Sequence, residues 1–276
     1  MRIKKHPTGN QYLLTEHGIW VRNFASPVAP LDINRLATTS DYAKFLENEI
    51  QNERHSLGNF DPKAVSFKGA VIVSDGYGFS EKHKVLEGLP LNVAIIAVNR
   101  TLVKWKVGRK IDFFLVNNPY AECMNQMPSH RYYPRCVVSS RAYPEFVGLY
   151  KSRGGFIETY SPTPEPGYSS PVRTLCTLDD YRNPVCAAIN LAYKLGASRV
   201  LTLCCDDSFE GERASAVELS NGLWTYPQHL ISHGTVSAMM SWYKKIKGVK
   251  VADHSSGPIC EEVPYIHQDE VRAFFE

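Results

Sequence analysis

An apolar run that stops at glycine or a polar residue recurs along this chain. "GAVIV" runs into "SDGYG" (74–78), "VAIIAV" into "NR" (99–100), "FFLV" into "NNPY" (117–120), "VLTL" into "CCDD" (204–207) and "VKVA" into "DHSSG" (253–257). A run with no polar alternation is a strand buried on both faces, and such strands belong to parallel sheets covered by helices. "CVVSS" (136–140) reads as a further strand. The stretch "NPVCAAINLAYKLGA" reads as a helix closed by Gly196, and "TVSAMMSWYKKIKG" as a helix closed by Gly248. Strands alternating with helices give an α/β fold: a Rossmann-like, mostly parallel sheet with helices on both faces. Ligands of such sheets bind beyond the carboxyl ends of the strands. The five polar endings are therefore expected to ring one crevice.

The rest of the chain is organised around that sheet. Residues 1–35 are polar and turn-rich, with strand-like pieces "YLLT" and "GIWVRNF", and are expected to form a β-rich arm or hairpin. Residues 36–276 are expected to form one domain. "TTSDYAKFLENEIQNERHS" opens it as a helix that Thr39 or Ser40 can cap, with Tyr42, Phe45, Leu46 and Ile50 as its apolar stripe toward the core. "SPTPEPGYSSP" (161–171) is expected to be a long surface loop near the crevice, either passive or a lid.

Bulk properties exclude several functions. At 276 residues and 43% hydrophobic content the chain can bury a large core, and a net charge of +3 is too small to imply nucleic-acid binding. No run approaches the ~20 apolar residues of a membrane span. The start, "MRIKKHPTGNQYLL", lacks the apolar segment of a signal peptide, so a cytoplasmic location is expected. Seven cysteines, spread out and without a CxxC, point to reduced thiols and against a zinc finger.

Several residues at the endings can carry chemistry. Gly76 in "SDGYGFS" lets a backbone approach a phosphate, or simply makes a strand-to-helix turn. Asn99, Asn117 and Asn118 end apolar strands, where an amide can both donate to and accept from a base or sugar, or bond its own backbone in a turn. Asp206 and Asp207, with Asp75, are carboxylates that could hold Mg²⁺ beside a diphosphate, or one could instead orient a ribose or an acceptor hydroxyl. His229 and His233 in "HLISHGT" are placed near a helix start, where the helix dipole keeps imidazole neutral and suited to act as a base. Their HxxxH lacks the glutamate of a zinc protease. Taken alone, the pair reads better as surface capping histidines than as catalytic groups.

In order along the chain, the glycine loop, the strands ending in Asn and in "NP", "CAAINLAYKLG…VLTLCCDD" and "HLISHGT" resemble two related groups. One is the bacterial sialyltransferases that build lipooligosaccharide from CMP-sialic acid. The other is the 6-hydroxymethylpterin pyrophosphokinase-like proteins. The likeness is patchy and covers about 68–260. It implies that His233, with His229 as companion, activates a hydroxyl acceptor. It implies that Gly76, Asn99 and Asn118 hold the nucleotide, and that Asn183, with Arg182 nearby, holds the donor sugar. Ser208 and Ala214 stand where that family places two tyrosines, and the glycine loop differs. The expected function is transfer of a glycosyl group from a nucleotide-activated donor to a hydroxyl, without a metal. A pyrophosphokinase-like reaction would instead require Mg²⁺ at Asp206, Asp207 or Asp75. A third reading is a non-catalytic binding or structural protein, a component of an assembly or virion, docking or forming homo-oligomers through the N-terminal arm.

Overall fold

A computed structural model describes residues 2–5, 11–14, 39–128, 132–163, 168, 170–172, 174–180, 182–206, 208–211, 213–214, 216–220, 223–255 and 263–276, with backbone alone at 2–5, 11–14, 39–40, 217–220 and 227–234. The centre is a parallel sheet. Its strands, in chain order, are β3 (Gly58–Asn59), β4 (Gly69–Val73), β5 (Val93–Val98), β6 (Phe113–Val116), β7 (Cys136–Ser139), β8 (Ile157–Pro162), β9 (Thr177–Leu178), β10 (Arg199–Leu203) and β14 (Lys250–Asp253). They lie in the order β14-β10-β4-β5-β6-β7-β8-β3, with β9 beside the end of β8, and every pairing is parallel. Chain order reverses between β4 and β10. That is the topological switch point, where the loops after two adjacent strands leave toward opposite faces.

Alternate residues of each strand enter opposite layers, as the pleat requires. Ala70, Ile72, Ala94, Ile96, Leu115 and Val137 share one core with α5 (Pro184–Lys194) and α6 (Pro227–Lys247). Val71, Val73, Ile95, Phe114, Val116 and Val138 share the other with α4 (Pro144–Ser152) and α7 (Val271–Phe275). The residues between core positions are themselves core, which is why the strands read as unbroken apolar runs. The short helices α2 (Phe79–Lys82) and α3 (Thr101–Lys104) complete the second layer. Gly196 and Gly248 close α5 and α6 with φ of +86° and +67°, in the left-handed region that glycine adopts without strain. No described helix is long and apolar enough to cross a membrane.

Three features differ from the sequence reading. First, α1 (Thr39–Glu53) forms as expected, but its buried face is turned from the expected stripe. Phe45, Asn48, Glu49 and Asn52 are buried, while Leu46 and Ile50 are 41% and 44% exposed. The helix lies on the polar end of the sheet, so polar side chains face inward. Second, β8 and α4 are additional elements. Third, α6 starts at Pro227, so His229 and His233 lie inside its first two turns. The dipole effect fades beyond the first turn, and the backbone of His233 lies in the second.

The N-terminal arm pairs Arg2–Lys5 (β1) antiparallel with Gln11–Leu14 (β2), a hairpin as expected, and "GIWVRNF" lies outside the described residues. A small antiparallel sheet of β11 (Phe209–Glu210), β12 (Val217–Ser220) and β13 (Leu223–Thr225) precedes α6.

Leu115 is fully buried in the centre of the first core. Leu115→Ala should lose about 2–5 kcal/mol of stability, the transfer and cavity terms together, read from urea denaturation midpoints.

Candidate functional site

A cleft of about 290 Å³ opens at the carboxyl ends of β5, β6 and β7. Its lining is mostly polar: Asn99 follows β5, Asn117 and Asn118 follow β6, Ser139 ends β7, and Gln126 comes from the turn beyond. Arg141, Asp180 and Arg182 join them, and Phe45 of α1 faces the cleft.

The asparagines differ in what they have left to offer. Asn118 Oδ1 accepts from Tyr120 N at 2.9 Å, the turn-forming role its sequence position also allowed. Asn99 donates Nδ2 to Ser74 Oγ at 3.0 Å, leaving its oxygen. Asn117 Nδ2 is buried and has no hydrogen-bond partner among the described residues. A buried amide donor without a partner costs about 1–3 kcal/mol, so a bound acceptor at this point would relieve it.

The two arginines are held by α1 and its surroundings. The Arg141 guanidinium lies over the rings of Phe45 and Tyr168, at 5.0 and 4.5 Å, and its Nε is 3.4 Å from Glu49 Oε1. The Arg182 guanidinium lies 4.9 Å from the Phe45 ring centre, and its Nη1 is 3.4 Å from Asp41 Oδ2. One phenyl ring thus serves both cations. Arg182 has φ +59° and Asn99 φ +55°. Asparagine tolerates that backbone, but for arginine it costs of order 1 kcal/mol and persists only because the surroundings fix it. Asp180 does much of this, accepting from Arg182 N at 3.1 Å and Tyr160 Oη at 3.3 Å.

The structure brings Asn99, Asn118 and Arg182 to one cleft. Asn183 borders it as the cap of α5, with Oδ1 accepting from Val185 N and Cys186 N at 2.8 and 3.4 Å, so that oxygen is occupied by the helix.

Gly76 is elsewhere, at the switch point. Its N donates to Cys204 O at 3.1 Å, and a Cβ there would sit 2.5 Å from Cys204 O and 2.6 Å from Asp206 Oδ1. Glycine is required because two loops touch. Asp75 is paired with Arg100 and Lys104 at 3.3 and 2.9 Å, and Asp206 accepts from Ser208 Oγ at 2.8 Å. Asp207 lies outside the described residues. Among the described residues no group of three or more His, Cys, Asp or Glu could hold a metal ion.

His229 and His233 are placed by backbone alone. The Asn190 side chain bonds Tyr243 Oη, which puts α5 and α6 side by side. Both helices run antiparallel to the strands, so their N-termini project past the carboxyl edge. At 1.5 Å per residue, Asn183 stands about 10 Å before Asn190 and His233 about 15 Å before Tyr243. The two therefore reach the same edge on neighbouring helices.

Arg141, Asn117, Ser139 and Asp180 complete the lining. The signal for Arg141 was the ending "SSR" after the apolar "CVV", of the same kind as the other endings. The six described cysteines are free and buried, and burial pushes Cys123 up to about 12 and Cys176 up to about 11, so these thiols are poor nucleophiles.

Two expectations follow. Glu49 is fully buried and accepts from Ser140 Oγ at 3.0 Å, Tyr168 Oη at 2.6 Å and Arg141. Glu49→Ala removes the buried carboxylate that Ser140, Tyr168 and Arg141 share and should lose about 3–5 kcal/mol in urea denaturation, with Glu49→Gln losing less. Asp253, also fully buried, is pushed up to about 6, first by burial; Thr202 and Ser255 bond one oxygen, and the nearby Asp206 charge adds to the rise. The folded state then holds a proton that the unfolded chain releases near 3.8. This stabilisation is complete below about pH 4 and is lost as pH rises through about 6. Asp253→Asn cannot titrate, so its stability relative to the native chain should rise by on the order of 2 kcal/mol between pH 4 and 7, measured as paired melting curves.

No family model, curated protein or solved structure matches the chain, which leaves function to be argued from the cleft itself.

Proposed function

We propose that this chain binds a nucleotide-activated sugar in the cleft over β5–β7 and transfers its glycosyl group to a hydroxyl acceptor. The observation that carries this reading is the lining: four amides, Asn99, Asn117, Asn118 and Gln126, share one cleft with two guanidinium groups. An amide donates and accepts, as a hydroxyl does, so an amide-rich wall suits a ribose or a sugar. Arginine forks suit a phosphate or carboxylate and bind it through paired N–H groups. The position beyond the strand carboxyl ends is where such sheets take their ligands. The volume, about 290 Å³, is at the lower end of small-molecule sites.

In this reading Arg141 and Arg182 hold the donor's anionic part, and Asn117 Nδ2 donates to its sugar or base. His233 takes the proton of the acceptor hydroxyl as that oxygen bonds the donor's anomeric carbon. The nucleotide leaves with the electron pair of the broken bond.

Thermal melting of the native chain with CMP, UDP, GDP and ATP, each with and without Mg²⁺, tests this. A nucleotide at one hundred times its Kd should stabilise by about 2.7 kcal/mol. A metal-independent shift with CMP or a nucleoside diphosphate, lost in Asn117→Ala, is the expected result. His233→Ala should keep that shift while transfer from the sugar nucleotide falls by about 10²–10⁴-fold. A shift with ATP and Mg²⁺ alone would favour the pyrophosphokinase-like reaction. No shift with any of them would favour a non-catalytic role.

A further inference from the structure

A second cleft, of about 200 Å³, opens beside the first along the same edge of the sheet. Its walls are α1, through Glu49, Asn52 and Glu53, the turn after β7 at Ser140, and β8 at Thr159. Among the described residues its lining includes two glutamates and two asparagines, and no lysine, arginine or histidine. The Glu49–Arg141 ion pair lies between the two clefts: Glu49 lines this one and Arg141 lines the other.

One lining residue has an acceptor with nothing to accept. Asn52 is 5% exposed, and its Nδ2 donates to the carbonyls of Ser140 and Ala142 at 2.9 and 2.8 Å. Those two bonds fix which way the amide faces. Its Oδ1 is left buried with no hydrogen-bond partner among the described residues. Glu53, by contrast, is exposed at the rim.

A ligand that completes this cleft must donate hydrogen bonds and carry no negative charge. Among the described residues the cleft has two carboxylates and no third His, Cys, Asp or Glu beside them. An ammonium group fits, since it has three donors and no acceptor. We propose that the second cleft binds a small primary amine, with Asn52 Oδ1 accepting one ammonium N–H and Glu53 supplying the opposite charge at the rim. The volume restricts the ligand to a small molecule or the end of a larger one. This site stands independently of the nucleotide reading of the first cleft.

The test is a titration of the full, ¹⁵N-labelled chain with 1,4-diaminobutane, followed at the side-chain amide signals of Asn52, with succinate as the anionic control. A saturable shift with the diamine and none with succinate is expected. Glu53→Gln, an exposed substitution, should weaken it about three- to fivefold, as loss of one partly screened charge contact does. Glu47→Gln, exposed on the same helix outside the cleft, should leave it unchanged. The proposal is overturned if the Asn52 signals do not saturate, if succinate shifts them equally, if Glu53→Gln binds as tightly as the native chain, or if both variants weaken binding alike.

Discussion

Parallel pairing governs this molecule. Each central strand is entered from the same side, so each polar strand ending is delivered to the same edge. The chain that leaves the edge turns back on itself, and its turns carry peptide groups that no sheet ladder satisfies. These must find partners or water. At the switch point the two loops satisfy each other: Ser74 N donates to Leu203 O at 3.0 Å and Gly76 N to Cys204 O at 3.1 Å. That mutual closure brings Gly76 against Cys204 and Asp206, so the glycine serves loop–loop contact there.

Over β6 and β7 the solution is different, and it explains α1. The carbonyls of Pro119, Ser140, Arg141 and Ala142 point away from the sheet and accept from Asn48 and Asn52 at 2.8–2.9 Å. Asparagines four apart lie on one helix face, so a single helix meets two successive strand endings. Glu49 lies between them and neutralises Arg141. The helix docks mainly through hydrogen bonds and two aromatic rings, Tyr42 and Phe45, both against Tyr168, rather than through an apolar stripe. Leu46 and Ile50 are consequently left outside. A helix held this way has little hydrophobic burial in its favour. Its attachment depends on Arg141 and on the turns it caps, which ties the walls of both clefts to one buried ion pair.

The central sheet was legible in the sequence because burial on both faces removes polar alternation from β4, β5, β6 and β10. Such runs have few other homes in a chain without membrane-length segments. β8 was harder to read. Its "IETYSP" alternates, since Glu158 pairs with Arg135 at 2.5 Å near the sheet margin, and alternation with a carboxylate resembles a surface segment. The face of α1 was misread for a related physical reason. Periodicity arguments assume that the buried face is the apolar one, whereas here the surface beneath the helix is a row of peptide carbonyls. Nothing local distinguishes an asparagine that will cap a distant turn from one that will face water.

The candidate site was partly legible for a reason that follows from the same rule. Residues at strand endings are placed by the sheet, so Asn99 and Asn118 could be assigned to one edge before any geometry was known. Arg182 and Asn183 arrived there because α5 must begin where its crossover leaves the sheet. What the endings could not reveal is which of them remain open. Gly76 and Asp75 carry residue types as suggestive as Asn117, yet one is closed against Cys204 and the other is neutralised by Arg100 and Lys104. Asn117 lies in the open cleft, and its buried Nδ2 has no hydrogen-bond partner among the described residues. Residue type and strand position select the edge, and an open cleft together with an unmet hydrogen-bond donor, as at Asn117, then marks a position on it. That second criterion depends on contacts between loops far apart in the chain, at the switch point 128 residues apart for Gly76 and Cys204, and so it exists only once the sheet has formed.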